Sequence, residues 1–102
     1  MKWIEKIVNI ENFKVNTLWN DGKIRSIDLK EFIESKSQNP KSSYAKLLDL
    51  SVFELVKCDG TSLYWDDLLI AKDIDGSEIS APLDISPEFL FELAKEEFKQ
   101  VI

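Results

Sequence analysis

Asp66, Asp67, Asp73, Asp75 and Glu78 form the one stretch of this 102-residue chain whose residue types and spacing could do chemistry. Alternating carboxylates can offer oxygen ligands to a hard cation such as Ca²⁺ or Mg²⁺, or work as an acid–base pair. Against the EF-hand pattern, however, Gly76 falls at the wrong offset and no glutamate stands where the closing bidentate ligand belongs. The stretch is therefore read first as a solvated acidic loop. A metal-dependent (Mg²⁺ or Ca²⁺) enzyme using Asp66 to Glu78 is carried as an alternative. The other common tools are missing. With no histidine there is no Ser-His-Asp or Cys-His arrangement and no imidazole ligand. Gly22, Gly60 and Gly76 each stand alone in a turn signal, so no glycine-rich loop cradles a phosphate. Cys58, without a second thiol or an activating imidazole, is read as a structural, partly buried side chain. No catalytic, cofactor-binding or metal-ligating residue is assigned, no cofactor is expected, and the chain is expected not to be an enzyme.

Side chains suited to contact rather than catalysis are better represented. Trp3, Trp19, Tyr64 and Trp65 could stack on a ligand or anchor an interface. Trp19 is expected in the core. Tyr64 and Trp65 are adjacent and would point to opposite faces of a strand, so one of them is expected to be exposed. The candidate partner contacts are thus Trp3, Tyr64 and Trp65. Nucleic acid is a poor fit for this chain alone, because 19 acidic against 13 basic residues give a net charge of −6. The sparse set Lys30, Lys36, Lys41 and Lys46 is interrupted by Glu31, Glu34 and Asp49 and reads as an ordinary solvated face.

The elements that must position these residues begin with a hairpin. Phe13, Val15, Thr17 and Trp19 alternate with polar residues on one face of a strand; Asn20-Asp21-Gly22 supplies the turn, and Lys23 to Leu29 returns. Ile27 and Leu29 share a face while Ile24 lies on the other, which implies either cover on both sides or a bulge. Ile4 to Ile10 reads as an N-terminal strand with Ile4, Val8 and Ile10 largely on one face. Asp28 can cap a short helix that starts near Lys30 and turns Phe32 and Ile33 inwards, and the polar stretch Ser35 to Ser43 is a loop. A helical turn follows, with Tyr44, Leu47 and Leu48 on one side. Ser51 to Cys58, the turn Asp59-Gly60 and Thr61 to Trp65 read as a second hairpin. Asp66 to Ile79 reads two ways: Leu68 to Ala71 is a short strand or an irregular buried piece, and Asp75-Gly76 signals another turn. Ser86-Pro87-Glu88 opens a helix predicted to run to near the C-terminus, with Leu90, Leu93, Ala94 and Val101 on one face and Phe91 and Phe98 beside it.

A chain of this length with 44% hydrophobic residues, three tryptophans and six phenylalanines can fill one core and not two. The expected architecture is a single α+β domain, residues 1–102, with a small antiparallel sheet built from two β-hairpins, short helices and a C-terminal helix packed on it. Neither a secretory signal nor a run of about 20 apolar residues is present, so a cytoplasmic protein without a membrane partner is expected.

With these segments in place the chain resembles a bacterial family, domain of unknown function 2442. The matching residues are Leu18-Trp19 running into Asp21-Gly22 and then Ile27-Asp28-Leu29, Leu47-Leu48-Asp49 before Phe53, the Gly60 turn before Trp65, and the Asp84 to Pro87-Glu88 junction. In similar proteins the tryptophan is followed closely by that aspartate, whereas here Asp66 to Leu83 intervene. The resemblance implies a small α+β domain without established activity, found alone or joined to a helix-turn-helix domain. It also implies a gene sometimes encoded beside a second small protein in a toxin–antitoxin-like arrangement. The expected function is a non-enzymatic protein-interaction or regulatory module, one half of such a pair, with a protein partner encoded by a neighbouring gene. Besides the metal-dependent enzyme, a transcription-related nucleic-acid regulator is the other alternative, and exposed strand edges leave room for a homodimer.

Overall fold

The computed structural model describes residues 1–39, 42–72 and 74–96. Its first half is built on β1 (Ile4–Glu11), β2 (Lys14–Trp19) and β3 (Ile24–Asp28), which pair antiparallel in that order. Val15, Thr17 and Trp19 are buried on one face of β2, as the alternation predicts. The turn closes through the Trp19 N–H donating to the Lys23 carbonyl at 3.0 Å, and Gly22 takes φ +82°, a value that L side chains rarely adopt. The β2–β3 register is unbroken from Lys14 opposite Asp28 to Leu18 opposite Ile24. Ile24 therefore needs neither a bulge nor cover on both sides: it stands on the outer face, 42% exposed. The irregularity lies in β1, where the register shifts between Ile4 and Lys6 and again between Ile7 and Asn9. These shifts turn Val8 outwards and let Ile7 pack against the core, which corrects the expected face of that strand.

Helix α1 (Lys30–Lys36) starts where Asp28 Oδ1 accepts the Lys30 N–H at 3.0 Å, and it buries Ile33. Phe32 is half-buried, its ring 5.4 Å from Tyr44 and 4.8 Å from Phe89. A 3-10 turn over Ser43–Leu48 buries Leu47, but its tighter winding leaves Leu48 pointing outwards, 47% exposed. Helix α2 (Leu50–Phe53) follows directly, capped by Asp49.

The second half is a separate sheet of β4 (Lys57–Cys58), β5 (Leu63–Lys72) and β6 (Glu78–Ile85), all antiparallel. The α+β class is as expected, but the strands make two sheets rather than one. Helix α3 (Pro87–Leu93) is capped by Ser86, whose Oγ accepts the Phe89 N–H at 3.3 Å, and it buries Leu90. It stops far earlier than the sequence suggests. Ala94–Glu96 form a seventh strand, β7, antiparallel to β3, so the four-stranded sheet runs β1-β2-β3-β7. Phe98 and Val101, predicted on the helix, lie outside the described residues.

One core joins the two sheets and the helices: Ile4, Val15, Trp19, Ile27, Leu29, Ile33, Leu47, Phe53, Leu63 and Leu90 are wholly buried. Backbone ties the sheets together as well, the Ile4 N–H donating to the Thr61 carbonyl at 2.8 Å. Beneath Trp19 runs a buried chain of hydrogen bonds. The indole Nε1–H donates to Thr17 Oγ1 at 2.8 Å, and Thr17 donates in turn to the Arg25 carbonyl at 2.9 Å. Thr17→Val keeps the shape but leaves the indole N–H unpaired in an apolar environment. The expected loss is about 1–3 kcal/mol, read as a lower urea midpoint at unchanged m-value.

Candidate functional site

The site begins with a strand that ends early. Asp49 Oδ1 accepts both the Ser51 N–H (3.0 Å) and the Ser51 hydroxyl (2.7 Å), which starts a helical turn at a position where the sequence reads as strand. At the other end of that turn the Trp65 indole N–H donates to the Phe53 carbonyl at 3.0 Å, beside the Val56 N–H that the same carbonyl accepts at 3.1 Å. The Phe53 ring is wedged between Phe13 and Trp65, at 5.3 and 5.7 Å. Residues 50–53 are thereby spent on α2. Only Lys57 and Cys58 remain to pair with β5, opposite Tyr64 and Leu63.

Beyond Tyr64, β5 continues to Lys72, and among the described residues it has a strand partner only on the β6 side. Asp66, Asp67 and Leu68 together face the single residue Pro82, a bulge in which Asp67 adopts φ +53°. Past the bulge, regular pairing resumes from Leu69 opposite Ala81 to Lys72 opposite Glu78, and the turn that follows leaves Ile74 fully exposed. The foot of this hairpin belongs to the core through Leu63, Trp65, Leu68, Leu83 and Ile85, while its tip from Ile74 to Ser77 is exposed. The molecule measures 60 × 25 × 21 Å, and its radius of gyration of 15.0 Å exceeds the roughly 13 Å of a compact chain of this length.

At the foot of the unpaired edge lies a crevice of about 200 Å³ lined by Val52, Leu55, Lys57, Trp65, Asp66 and Leu68. Its apolar walls come from α2, the turn after it and the bulge. Leu55 is 66% exposed there. Lys57 Nζ meets Asp66 Oδ2 at 2.5 Å on the rim; the carboxylate raises the lysine's pKa above its ordinary value. Both partners are about half exposed, so the pair contributes little to stability.

Of the three aromatic candidates, Trp65 is 1% exposed and belongs to the core, which corrects its reading as a surface contact. Tyr64 is half-buried and is the more accessible of the two neighbours. Trp3 is 39% exposed, its backbone pinned to Asn20 in both directions on the first hairpin turn, and it does not line the crevice. Leu55 and the β5 edge are hidden in the sequence because Ser51 to Cys58 reads as a strand, which would cover that edge. The long apolar run Leu68 to Ala71, too long for a partner of two residues, was the signal available.

The acidic stretch is drawn out along the hairpin. Asp66 pairs with Lys57, Asp67 Oδ1 accepts from Ser80 Oγ at 3.0 Å, and Asp75 Oδ1 accepts from both the N–H and the hydroxyl of Ser77. Asp73 and the Glu78 side chain lie outside the described residues, as does Lys41 of the lysine set. Among the described residues, no three acidic or thiol side chains gather around a common point that could hold an ion. Burial pushes the Cys58 thiol up; its Sγ donates to the Ile4 carbonyl at 3.5 Å and accepts the Gly60 N–H at 3.4 Å, a structural placement. Among the described residues, no helix is long and apolar enough to cross a membrane. No family model, curated protein or solved structure matches the chain.

Among the described residues, the most strongly perturbed carboxylate lies elsewhere. Asp21 takes both guanidinium nitrogens of Arg25, at 3.1 and 2.7 Å, and Lys2 Nζ at 3.1 Å. Arg25 is 5% exposed, and its guanidinium sits 5.7 Å from the Trp19 ring and 5.1 Å from Phe91. Arg25 holds the Asp21 carboxyl well below the usual carboxylate range. A depressed folded-state pKa contributes stability that is complete above the unfolded value, about 3.9, and is lost as pH falls through the folded one. The melting-temperature gap between wild type and Asp21→Asn is therefore expected to stay constant from about pH 8 to about pH 5 and to narrow only below about pH 4. A gap that narrows with rising pH would contradict this pairing.

Proposed function

We propose that this chain is a protein-interaction module that acts by strand addition, taking an extended segment of a partner onto the free edge of β5 beside the apolar crevice. The observation that carries the reading is the mismatch between β4, two residues long, and β5, ten residues long. It leaves backbone donors and acceptors in line beside a place for an apolar side chain. Strand addition uses these two features together, main-chain hydrogen bonds for affinity and side-chain pockets for selectivity.

The other edges are poorer choices. The outer edge of β1 is broken by two register shifts, β7 is only three residues long, and β6 carries Pro82, which has no N–H to offer. From Leu69 to Lys72, β5 has neither defect. Past the bulge the hairpin is two-stranded, an arrangement marginal in water, and a third strand would add hydrogen bonds on the open side of β5. A regulatory role in a two-protein pair fits such a surface.

Selection from a displayed library of random linear peptides tests this reading. Binders are expected to slow amide exchange at residues 69–72. Leu55→Asp is expected to weaken them about 10- to 100-fold, the worth of one buried leucine, while shifting stability by less than about 0.5 kcal/mol. Exchange protection confined to another strand, or binding indifferent to Leu55→Asp, would remove the proposal.

A further inference from the structure

Resting on that reading, we infer that the strand taken up is a basic one: an extended peptide of a different protein in which Lys or Arg alternates with apolar residues, one apolar side chain seated against Leu55 and Leu68. Alternation follows from strand geometry, since successive side chains point to opposite faces and the crevice lies on only one of them. The charge follows from the hairpin. Between Asp66 and Asp84 the sequence holds six acidic residues and one lysine, Lys72. Asp66, Asp67, Asp75 and Asp84 are exposed along it. The lysine at the rim, Lys57, is already engaged by Asp66. An added strand therefore enters a field of negative sign, against which ammonium or guanidinium groups gain and carboxylates lose.

The same argument weighs against a second copy as the occupant. Two β5 edges laid side by side would bring both acidic hairpins together, on chains that each carry −6 overall, and like charges on paired strands are destabilising. Polyanions are repelled for the same reason. A basic peptide alone satisfies the edge, the crevice and the field at once.

Three end-capped synthetic peptides with one shared apolar pattern and Lys, Thr or Glu at the alternate positions test this, titrated by fluorescence anisotropy at about 50 mM and about 500 mM salt. The Lys peptide is expected to bind at least about 10-fold more tightly than the Thr peptide at low salt, with the preference falling several-fold at high salt. The Glu peptide is expected not to bind. Asp66→Asn combined with Asp67→Asn should erase most of the preference without unfolding the chain, since Asn tolerates the positive φ at position 67. Equal, salt-insensitive binding of the Lys and Thr peptides would overturn the basic partner and leave strand addition standing. Failure of all three would overturn both. A dimer in sedimentation that Leu55→Asp dissociates would assign the edge to a second copy and overturn the inference.

Discussion

The indole N–H of Trp65, donated to the Phe53 carbonyl, is the contact on which the candidate site depends. A buried indole nitrogen without an acceptor is costly, and the Phe53 carbonyl, which also accepts the Val56 N–H, has a second lone pair to offer it. The indole's need is met there, and the pairing pins the end of the helix formed by residues 50–53 over Trp65. Had those residues continued the strand that ends at Cys58, they would have covered β5 along most of its length. The helix instead leaves an apolar wall, Val52 and Leu55, standing beside an edge with no strand on it. Site and core are thus one construction seen from two sides. Trp65 is central to both although almost none of it reaches solvent.

A second buried polar group organises the opposite end. The Arg25 guanidinium is forked onto Asp21, while Trp19 and Phe91 lie within cation–π distance of it. This draws the first hairpin turn, the N-terminal Lys2 and α3 to one point. With α3 held there, the chain emerging at Ala94 lies beside the free edge of β3, and it pairs in extended form. Ala, Lys and Glu are good helix formers, but the preference is a few tenths of a kcal/mol per residue. Backbone hydrogen bonding to a waiting edge outweighs it.

The two ends handle their edges differently. In the four-stranded sheet one edge strand, β7, is only three residues long and the other, β1, is blunted by its irregularities. In the three-stranded sheet β6 is interrupted by Pro82, while β5 is protected only for the two residues that β4 covers. Edges are commonly guarded against chance pairing. One left open beside an apolar crevice is the feature that distinguishes this molecule, and the acidic residues along the hairpin guard it by charge instead.

Local signals determined the first hairpin, because Asp21-Gly22 and the alternation from Val15 to Trp19 act over a few residues and agree with each other. They also determined where α1 and α3 start, through Asp28 and Ser86, whose side chains cap the adjoining N–H groups. The succession of strand and helix patterns determined the α+β class, and composition the lack of imidazole chemistry. The length of α3, the helical state of residues 50–53 and the exposure of Leu55 were not legible there. Each is settled by a partner distant in sequence: β3 for Ala94 to Glu96, and Trp65 for Phe53. Short apolar runs satisfy helix and strand patterns alike, and free backbone groups belong to whichever neighbour the packed core brings within hydrogen-bonding reach.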